Sequence, residues 1–321
     1  MKRTVCLGVL IAVGGLSLAV SGFQGRAERP RPPIRRIQQV KDNLYVILGG
    51  NPGDRDTWTG GNTAVFVTAN GVVVVDSMNP GFGQSILKEI KTVTPKPVTT
   101  LINTHTHGDH TGSNTEFPAN IDFVAQENTK ANMQKMDAFK GPNAKFLPSK
   151  TVTDRLTLLD GPDRIDLYYF GRGHTNGDLI VVFPEKRLAH FGDLFPAKAA
   201  PFIDTANGGS AVELPKTLAK AIAEIKGVSR VVTGHDESSL IPAGAGSGSA
   251  IFANPKTMTW NDVQEYADFN RDFLAAVEDA IKAGKSAAEA VATLQLPERY
   301  KAYDMQRAKE NVEAIYRELG K

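Results

Sequence analysis

The sequence predicts an α/β (α+β) protein: an αββα sandwich of two mixed β-sheets flanked by helices, with a C-terminal helical extension. Three observations predict it. Short β-branched segments bounded by Gly and Asn alternate with amphipathic helical patterns as far as Val232. This alternation of strand and helix patterns occurs twice, which predicts two similar β-rich halves. From Gly244 onward a Gly/Ser-rich stretch is followed by helical patterns alone.

The strand and helix patterns follow one another closely. In the first half, strands are predicted at 43–48, 62–68, 71–77, 99–103 and 122–125, with helices at 84–92 and 127–136. In the second half, strands are predicted at 149–158, 164–170, 178–183, 187–191 and 229–232, with a helix at 213–225. Segments 178–183 and 187–191 form a predicted hairpin. C-terminal helices are predicted at 260–284, 286–294 and 297–319, the second of them with a capping box of Ser286 and Glu289.

The N-terminus has the pattern of an export signal. Lys2 and Arg3 precede an apolar run that ends in small residues, so residues 1–27 are predicted to be a signal peptide. An uncleaved membrane anchor is the alternative, although the run is short for a membrane span. A Pro/Arg-rich N-terminal segment occupies 28–42, the main domain 43–250 and the extension 251–321. We therefore expect a periplasmic or secreted protein without a stable membrane span after cleavage.

Composition excludes some classes of partner. The single cysteine, Cys6, lies in the predicted signal, so the mature protein has no disulfide. Removing Lys2, Arg3 and Arg26 from the 37 basic residues leaves 34 against 35 acidic residues, a net charge near −1. A nucleic-acid partner is not expected, because such proteins favour a basic face.

Five of the six histidines fall into a pattern that indicates a pair of metal ions. The segment THTHGDH supplies His105, His107, Asp109 and His110, and an H-x-H-x-D-H arrangement is far more specific than an isolated H-x-H pair. His105 and His107 alternate on an extended segment, so that both rings point to one side. Imidazole nitrogen and carboxylate oxygen are the ligands that zinc takes at catalytic sites.

Three later segments complete the pattern, each near the end of a strand. They contain His174 between glycines, Asp193 at a turn and His235 after Thr-Gly. The sixth histidine, His190, belongs to no motif and is predicted to be packed or to support the ligands. Asp76 ends a buried strand, where its carboxylate is expected to hydrogen-bond to the ligand loop.

These motifs together resemble the metallo-β-lactamase superfamily. The resemblance covers roughly 44–236, and its motifs here are THTHGDHTGSN, GRGHTNGD, HFGDLF and TGHDE. It implies an αββα sandwich with two Zn²⁺ ions, although other divalent metals fit the same ligands. It further implies two ligand sets, with Asp193 shared between them: His105, His107 and His174 for one ion, and Asp109, His110 and His235 for the other.

The resemblance implies an exported zinc-dependent hydrolase of a small-molecule ester, lactone, thioester or amide, in which a metal-bridging hydroxide is the nucleophile. Asp109 is the candidate catalytic residue, orienting the nucleophile and passing a proton to the leaving group. The largest group of zinc β-lactamases has cysteine where this chain has Asp193. With aspartate at this position, the chain is similar to superfamily hydrolases of thioesters, lactones, phosphodiesters and alkyl sulfates. The segments that flank Asp193, in contrast, resemble the β-lactamase-like branch.

Two alternative functions stay open at this stage. One is hydrolysis of β-lactam antibiotics; the other is a di-iron redox protein on the same fold. In the redox proteins a carboxylate replaces one histidine of the first motif, whereas this chain has His107 there.

Substrate contacts and oligomeric state are further expectations. Trp58, in the Gly-rich loop 49–61, is expected to cover the substrate, Lys198 to meet a substrate carboxylate and Asn207 to line the rim of the pocket. The C-terminal helices carry no recognisable ligand set. We expect the C-terminal helices either to pack against the core or to form a homodimer contact.

Overall fold

The computed structural model describes residues 31–235 and 258–321. The predicted signal peptide at 1–27, Cys6 and the Gly/Ser-rich stretch beginning at Gly244 lie outside the described residues. No helix in the described part of the chain is long and apolar enough to cross a membrane.

Two sheets form the centre of the fold. The first has seven strands in sequence order: β1 (Gln38–Lys41), β2 (Leu44–Ile47), β3 (Thr63–Val67), β4 (Val72–Val75), β5 (Val98–Ile102), β6 (Asp122–Gln126) and β7 (Lys150–Val152). Strands β1 to β4 pair antiparallel, and β4 to β7 pair parallel. The prediction of mixed sheets is therefore confirmed.

The second sheet has six strands in the order β13-β12-β11-β10-β9-β8. They are β8 (Arg155–Leu158), β9 (Ile165–Tyr168), β10 (Ile180–Phe183), β11 (Leu188–His190), β12 (Arg230–Val232) and β13 (Met258–Thr259). Only the β11–β12 pair is parallel within this sheet. The predicted hairpin is β10–β11.

The helices of the described residues are α1 (Gly83–Lys91), α2 (Gly108–Thr111), α3 (Glu127–Met133), α4 (Leu214–Glu224), α5 (Trp260–Lys282), α6 (Ala287–Thr293) and α7 (Ala308–Glu318). All except the four-residue α2 pack on the outer faces of the two sheets. The predicted capping box of Ser286 and Glu289 starts α6, and a second one, Thr259 with Asp262, starts α5.

The core consists of three apolar layers, as an αββα sandwich requires. Strand β4 shows why, because side chains alternate between the faces of a strand. Val73 and Val75 pack between the two sheets, whereas Val72 and Val74 pack toward α1 and α3. The third layer joins the outer face of the second sheet to α4 and the C-terminal helices, with Tyr266 of α5 fully buried in it.

The structure departs from the predicted elements most clearly in three places. Strand β1 forms within the N-terminal segment 28–42, where no strand was predicted, because β2 offers it an antiparallel partner. The predicted strand at 149–158 divides into β7 and β8, which belong to different sheets. The predicted helix at 297–319 is interrupted before α7, because Asp304 leaves the helical path to pair with Ala199 in a β-bridge.

Candidate metal centre

The candidate ligands emerge from strand ends at one edge of the sandwich. Strand β5 leads into the first motif, with Asp109 and His110 in the short helix α2. His174 lies between β9 and β10, Asp193 follows β11, and His235 follows β12. Parallel pairing of β11 with β12 brings the last two to the same edge. The structure thus gathers all seven predicted ligands into two neighbouring groups.

The first group contains His105, His107, His174 and Asp193. Nδ1 of His107 lies 3.2 Å from Nε2 of His105 and 2.9 Å from Nε2 of His174. Oδ2 of Asp193 lies 3.4 Å from Nε2 of His174. Four donor atoms from three parts of the chain therefore converge on one point.

Hydrogen bonds on the far side of each ring fix which nitrogen carries the proton. His107 donates from Nε2 to Asp204 (2.7 Å), and His174 donates from Nδ1 to the carbonyl of Phe202 (2.6 Å). Thr104 donates its hydroxyl proton to Asp76, so its oxygen accepts from Nδ1 of His105 (3.0 Å). The three facing nitrogens therefore all present lone pairs. Three lone pairs this close repel one another unless a cation lies between them. Metal-bound histidines are oriented in the same way, because each donates its other ring N–H to a carboxylate, a carbonyl or a similar acceptor.

The second group contains Asp109, His110 and His235. Oδ2 of Asp109 lies 3.6 Å from Nε2 of His110 and 3.5 Å from Nε2 of His235. Asp193 reaches this group as well: its Oδ1 is 3.3 Å from His110 and its Oδ2 is 3.2 Å from His235. One carboxylate thus touches both groups, as a bridging ligand would.

Three buried atoms in this cluster lack a hydrogen-bond partner within the described residues. One is Nδ1 of His235, on the ring edge opposite its facing nitrogen; the other two, Nε2 of His110 and Oδ1 of Asp193, face each other at 3.3 Å. Leaving a buried polar atom unsatisfied costs about 1–3 kcal/mol. A divalent cation between the two facing atoms would satisfy both of them, so the residues present fit a metal ion.

The electrostatics of the cluster separate the two groups. Burial lowers the pKa of His105 well below its usual value and also lowers that of His174, so both are neutral and ready to bind. Burial acts the same way on His110, but the carboxylates of Asp109, Asp193 and Asp76 outweigh it and raise its pKa well above the usual range. A metal ion in the second group must therefore displace a proton.

The pKa of Asp193 is held well below its usual value. Burial by itself raises the pKa, but His235, His110 and His174 more than compensate. This carboxylate is therefore ionised and available to cations on both sides.

Two glycines make room for the ligands. A Cβ on Gly234 would lie 1.9 Å from Oδ1 of Asp193, and a Cβ on Gly61 would lie 2.2 Å from the ring of His110. Any side chain at either position would displace a candidate ligand. Gly61 also ties the loop 49–61 to the site, because its N–H donates to the carbonyl of Asp109 (2.8 Å).

The predicted supporting roles of Asp76 and His190 are confirmed. Asp76 accepts from the backbone N–H of Thr104 (2.8 Å) and from Nδ1 of His110 (2.7 Å), so it fixes His110 directly and His105 through the hydroxyl of Thr104. His190 is buried, donating to the carbonyl of Asn62 (3.0 Å) and accepting from the N–H of Gly192 (3.1 Å). It therefore supports the turn that carries Asp193.

We expect Asp76→Asn to weaken metal binding by about 10–100-fold, the usual effect of removing a ligand's hydrogen-bond partner. Asp76 has φ +63, which Asn tolerates, but the amide loses a charge and one acceptor. Competition with a chromophoric chelator measures the affinity. Asp163→Asn is the matched control, since Asp163 also accepts a backbone N–H, from Ala69, far from the site. Equal affinities in the two variants would contradict the role of Asp76.

The structure places the three predicted substrate contacts, Trp58, Lys198 and Asn207, in different surroundings. Trp58 is half-buried in the loop 49–61, and its indole N–H has no partner within the described residues. The prediction for Lys198 needs correction: its ammonium is paired with Asp262 (2.7 Å) and Glu265 (3.3 Å) on α5, so its charge is already neutralised. Asn207 donates to Asp204 (2.6 Å), so its amide helps to orient the partner of His107.

Two neighbours of the first group were not predicted from the sequence. Asp204 and Phe202 lie in a loop without a recognisable motif, yet one accepts from His107 and the other from His174. The Phe202 ring centroid is also 5.9 Å from that of His107 and 5.8 Å from that of His174. The amino-acid sequence around Phe202 and Asp204 gives no signal for these contacts, because they depend on how the loop folds back over the ligands.

The fold and the donor set define a metal-dependent enzyme of the αββα class. The chain belongs to the metallo-β-lactamase superfamily, whose sequence model matches residues 23–272. Homologues in this superfamily are metal-dependent hydrolases, and this protein is one. The resemblance predicted from the motifs is thus confirmed.

Individual relatives are distant. The chain is 26% identical over 227 residues to a metallo-β-lactamase type 2 of Elizabethkingia meningoseptica, which covers 69% of this chain and 86% of the relative. It is 29% identical over 183 residues to the 2,4-dinitroanisole O-demethylase subunit alpha of a Nocardioides species, covering 56% of this chain and 50% of that protein.

Among solved structures, metallo-β-lactamase IND-7 matches with a TM-score of 0.53 and 24% identity, over 63% of this chain and 90% of its own. This similarity supports the fold alone. The αββα architecture predicted from the sequence is confirmed by both the topology and this match.

Proposed function

We propose that this protein is an exported dizinc hydrolase that opens a cyclic amide, with β-lactams as the leading substrate class. The observation that carries the proposal is the carboxylate of Asp193, which lies within 3.4 Å of nitrogens from both ligand groups. Such sharing favours two closely spaced cations. The β-lactamases among its relatives favour the lactam over other acyl substrates.

In this proposal His105, His107 and His174 hold one zinc ion, while Asp109, His110 and His235 hold the other, with Asp193 between them. Two bound zinc ions would polarise the substrate carbonyl and lower the pKa of water enough to supply hydroxide near neutral pH. Asp204, Thr104 and the carbonyl of Phe202 keep the rings of the first group oriented throughout the reaction.

Asp109 is the proposed proton carrier. Its carboxylate retains 18% side-chain exposure, whereas the ring of His110 beside it is fully buried. It can therefore both contact the second ion and reach a leaving group in the cleft. Trp58, on the loop tied to Asp109 through Gly61, is the proposed cover over the substrate.

A second candidate substrate class is a carboxylic ester, lactone or thioester. The observation that favours this class is Asp193 itself, since a carboxylate at this position makes the chain similar to superfamily hydrolases that cleave such bonds. Localisation in the periplasm or outside the cell is proposed from the N-terminal pattern, and a homodimer through the C-terminal helices is proposed from their lack of ligand residues.

The experiment is a substrate panel with zinc-loaded protein: nitrocefin, a homoserine lactone, a thioester and bis(4-nitrophenyl) phosphate. We expect nitrocefin hydrolysis to be fastest, with loss of turnover on chelation. Faster lactone or thioester hydrolysis would move the assignment to the second candidate. Turnover of the phosphodiester alone would overturn both.

A further inference from the structure

The C-terminal segment 258–321 builds part of the metal centre's surroundings. It contacts the active-site loop, defined here as residues 196–213, which carries Phe202 and Asp204. At the start of this loop the backbone of Asp304 pairs with it. The Asp304 carbonyl accepts from the N–H of Ala200 (2.7 Å), and the Asp304 N–H donates to the carbonyl of Lys198 (3.1 Å). The conformation of the loop beside the ligands is therefore set by residues distant in sequence.

The end of the same loop is held by α7. The carboxylate of Glu318 accepts from the N–H of Ala211 (2.8 Å) and from the hydroxyl of the fully buried Ser210. Ser210 in turn donates its N–H to the carbonyl of Gly173 (2.8 Å), next to His174. Both ends of the active-site loop are thus fixed by the C-terminal segment.

Between these two anchors the C-terminal segment places a cation next to the site. The Cζ of Arg307 lies 4.9 Å from the ring centroid of Phe202. That ring is 43% exposed and neighbours both His107 and His174. One aromatic ring therefore separates the guanidinium from the first ligand group.

The charge of Arg307 is available, in contrast to that of Lys198. Arg307 is exposed, and within the described ranges no carboxylate lies at ion-pair distance from its guanidinium. Stacking on an aromatic face leaves the in-plane N–H groups free to form a bidentate pair with a carboxylate.

We propose that Arg307 is a specificity-determining residue, which selects acyl substrates that carry a carboxylate at a distance from the bond that is cleaved. The proposal rests on the proposed hydrolase function and deepens it. The metal centre acts on the acyl group, while Arg307 and the face of Phe202 bind the anionic end of the substrate.

A matched pair of esters tests this with zinc-loaded protein: mono(4-nitrophenyl) succinate, which carries a carboxylate, and 4-nitrophenyl butyrate, which does not. We expect Arg307→Ala to lower kcat/KM for the succinate ester about 10- to 100-fold, mainly through KM. The butyrate ester should change less than about twofold, and Arg307→Lys should restore part of the loss. Arg317→Ala, an exposed arginine later on α7, is the control expected to leave both esters unchanged.

Equal losses for both esters, or no loss for either, would overturn the proposal. A binding measurement separates its failure from that of the hydrolase function. Titration calorimetry with succinate and with butyrate should show succinate binding about tenfold more weakly to Arg307→Ala than to the wild type. If neither ester is hydrolysed, the hydrolase proposal fails on these substrates, and the succinate titration alone decides on Arg307. Equal succinate affinity in both proteins would reject the role.

Discussion

Replacing Asp193 by Ala is expected to reduce hydrolysis at least about a thousandfold, since loss of a metal's Lewis-acid contribution costs ~4 kcal/mol or more. The reason is geometric: the carboxylate of Asp193 lies within 3.4 Å of His174 in the first ligand group and of His110 and His235 in the second. We expect bound zinc to fall from two ions per chain to one or none. Turnover measured with the best substrate of the panel, together with metal analysis, checks the prediction.

Asp166→Ala is the matched control for this variant. Asp166 is also buried, on β9 of the same sheet, but its partners are Arg164 and Arg155 at the outer part of the fold. It should lower thermal stability without changing the metal content. Should Asp193→Ala keep two zinc ions, Asp193 does not bridge the groups.

Replacing Asp109 by Asn is expected to lower kcat by about 10²–10⁴-fold, the usual contribution of a positioned general acid or base. Asn keeps an oxygen for the second ion but cannot carry a proton to the leaving group. The carboxylate of Asp109 lies 3.5 Å from Nε2 of His235 and is partly exposed to solvent, so it is accessible from outside the second ligand group.

Metal content separates the two roles of Asp109. If Asp109→Asn retains two zinc ions and kcat falls, proton transfer is supported. If zinc and activity are lost in parallel, Asp109 acts only as a ligand. An unchanged kcat with full metal content removes it from the chemistry altogether.

The ligand pattern was predictable from the sequence because each part of it is local. His105 and His107 alternate on an extended segment, and His174 and His235 follow glycine near strand ends, which are features of single short segments. The strands themselves were predictable for the same reason: four consecutive valines in β4 indicate a buried strand whatever surrounds it.

What could not be predicted depends on contacts between distant segments. The break before α7 follows from the pairing of Asp304 with Ala199, which overrides local helical preference. Lys198 was expected to face substrate, but its sequence position does not reveal that Asp262 and Glu265 on α5 lie beside it. The same is true of Phe202 and Arg307, which meet only because the C-terminal segment folds back over the active-site loop.

We infer that seven side chains enclose two metal ions that the hydrolase requires. Metal analysis of the purified protein before and after dialysis against a chelator, with thermal unfolding followed in parallel, tests this inference. We expect two zinc ions per chain, loss of hydrolysis and a lower unfolding temperature after chelation, and recovery of both when zinc is restored. A protein that contains no metal as purified, or whose hydrolysis and unfolding are unaffected by chelation, would contradict it.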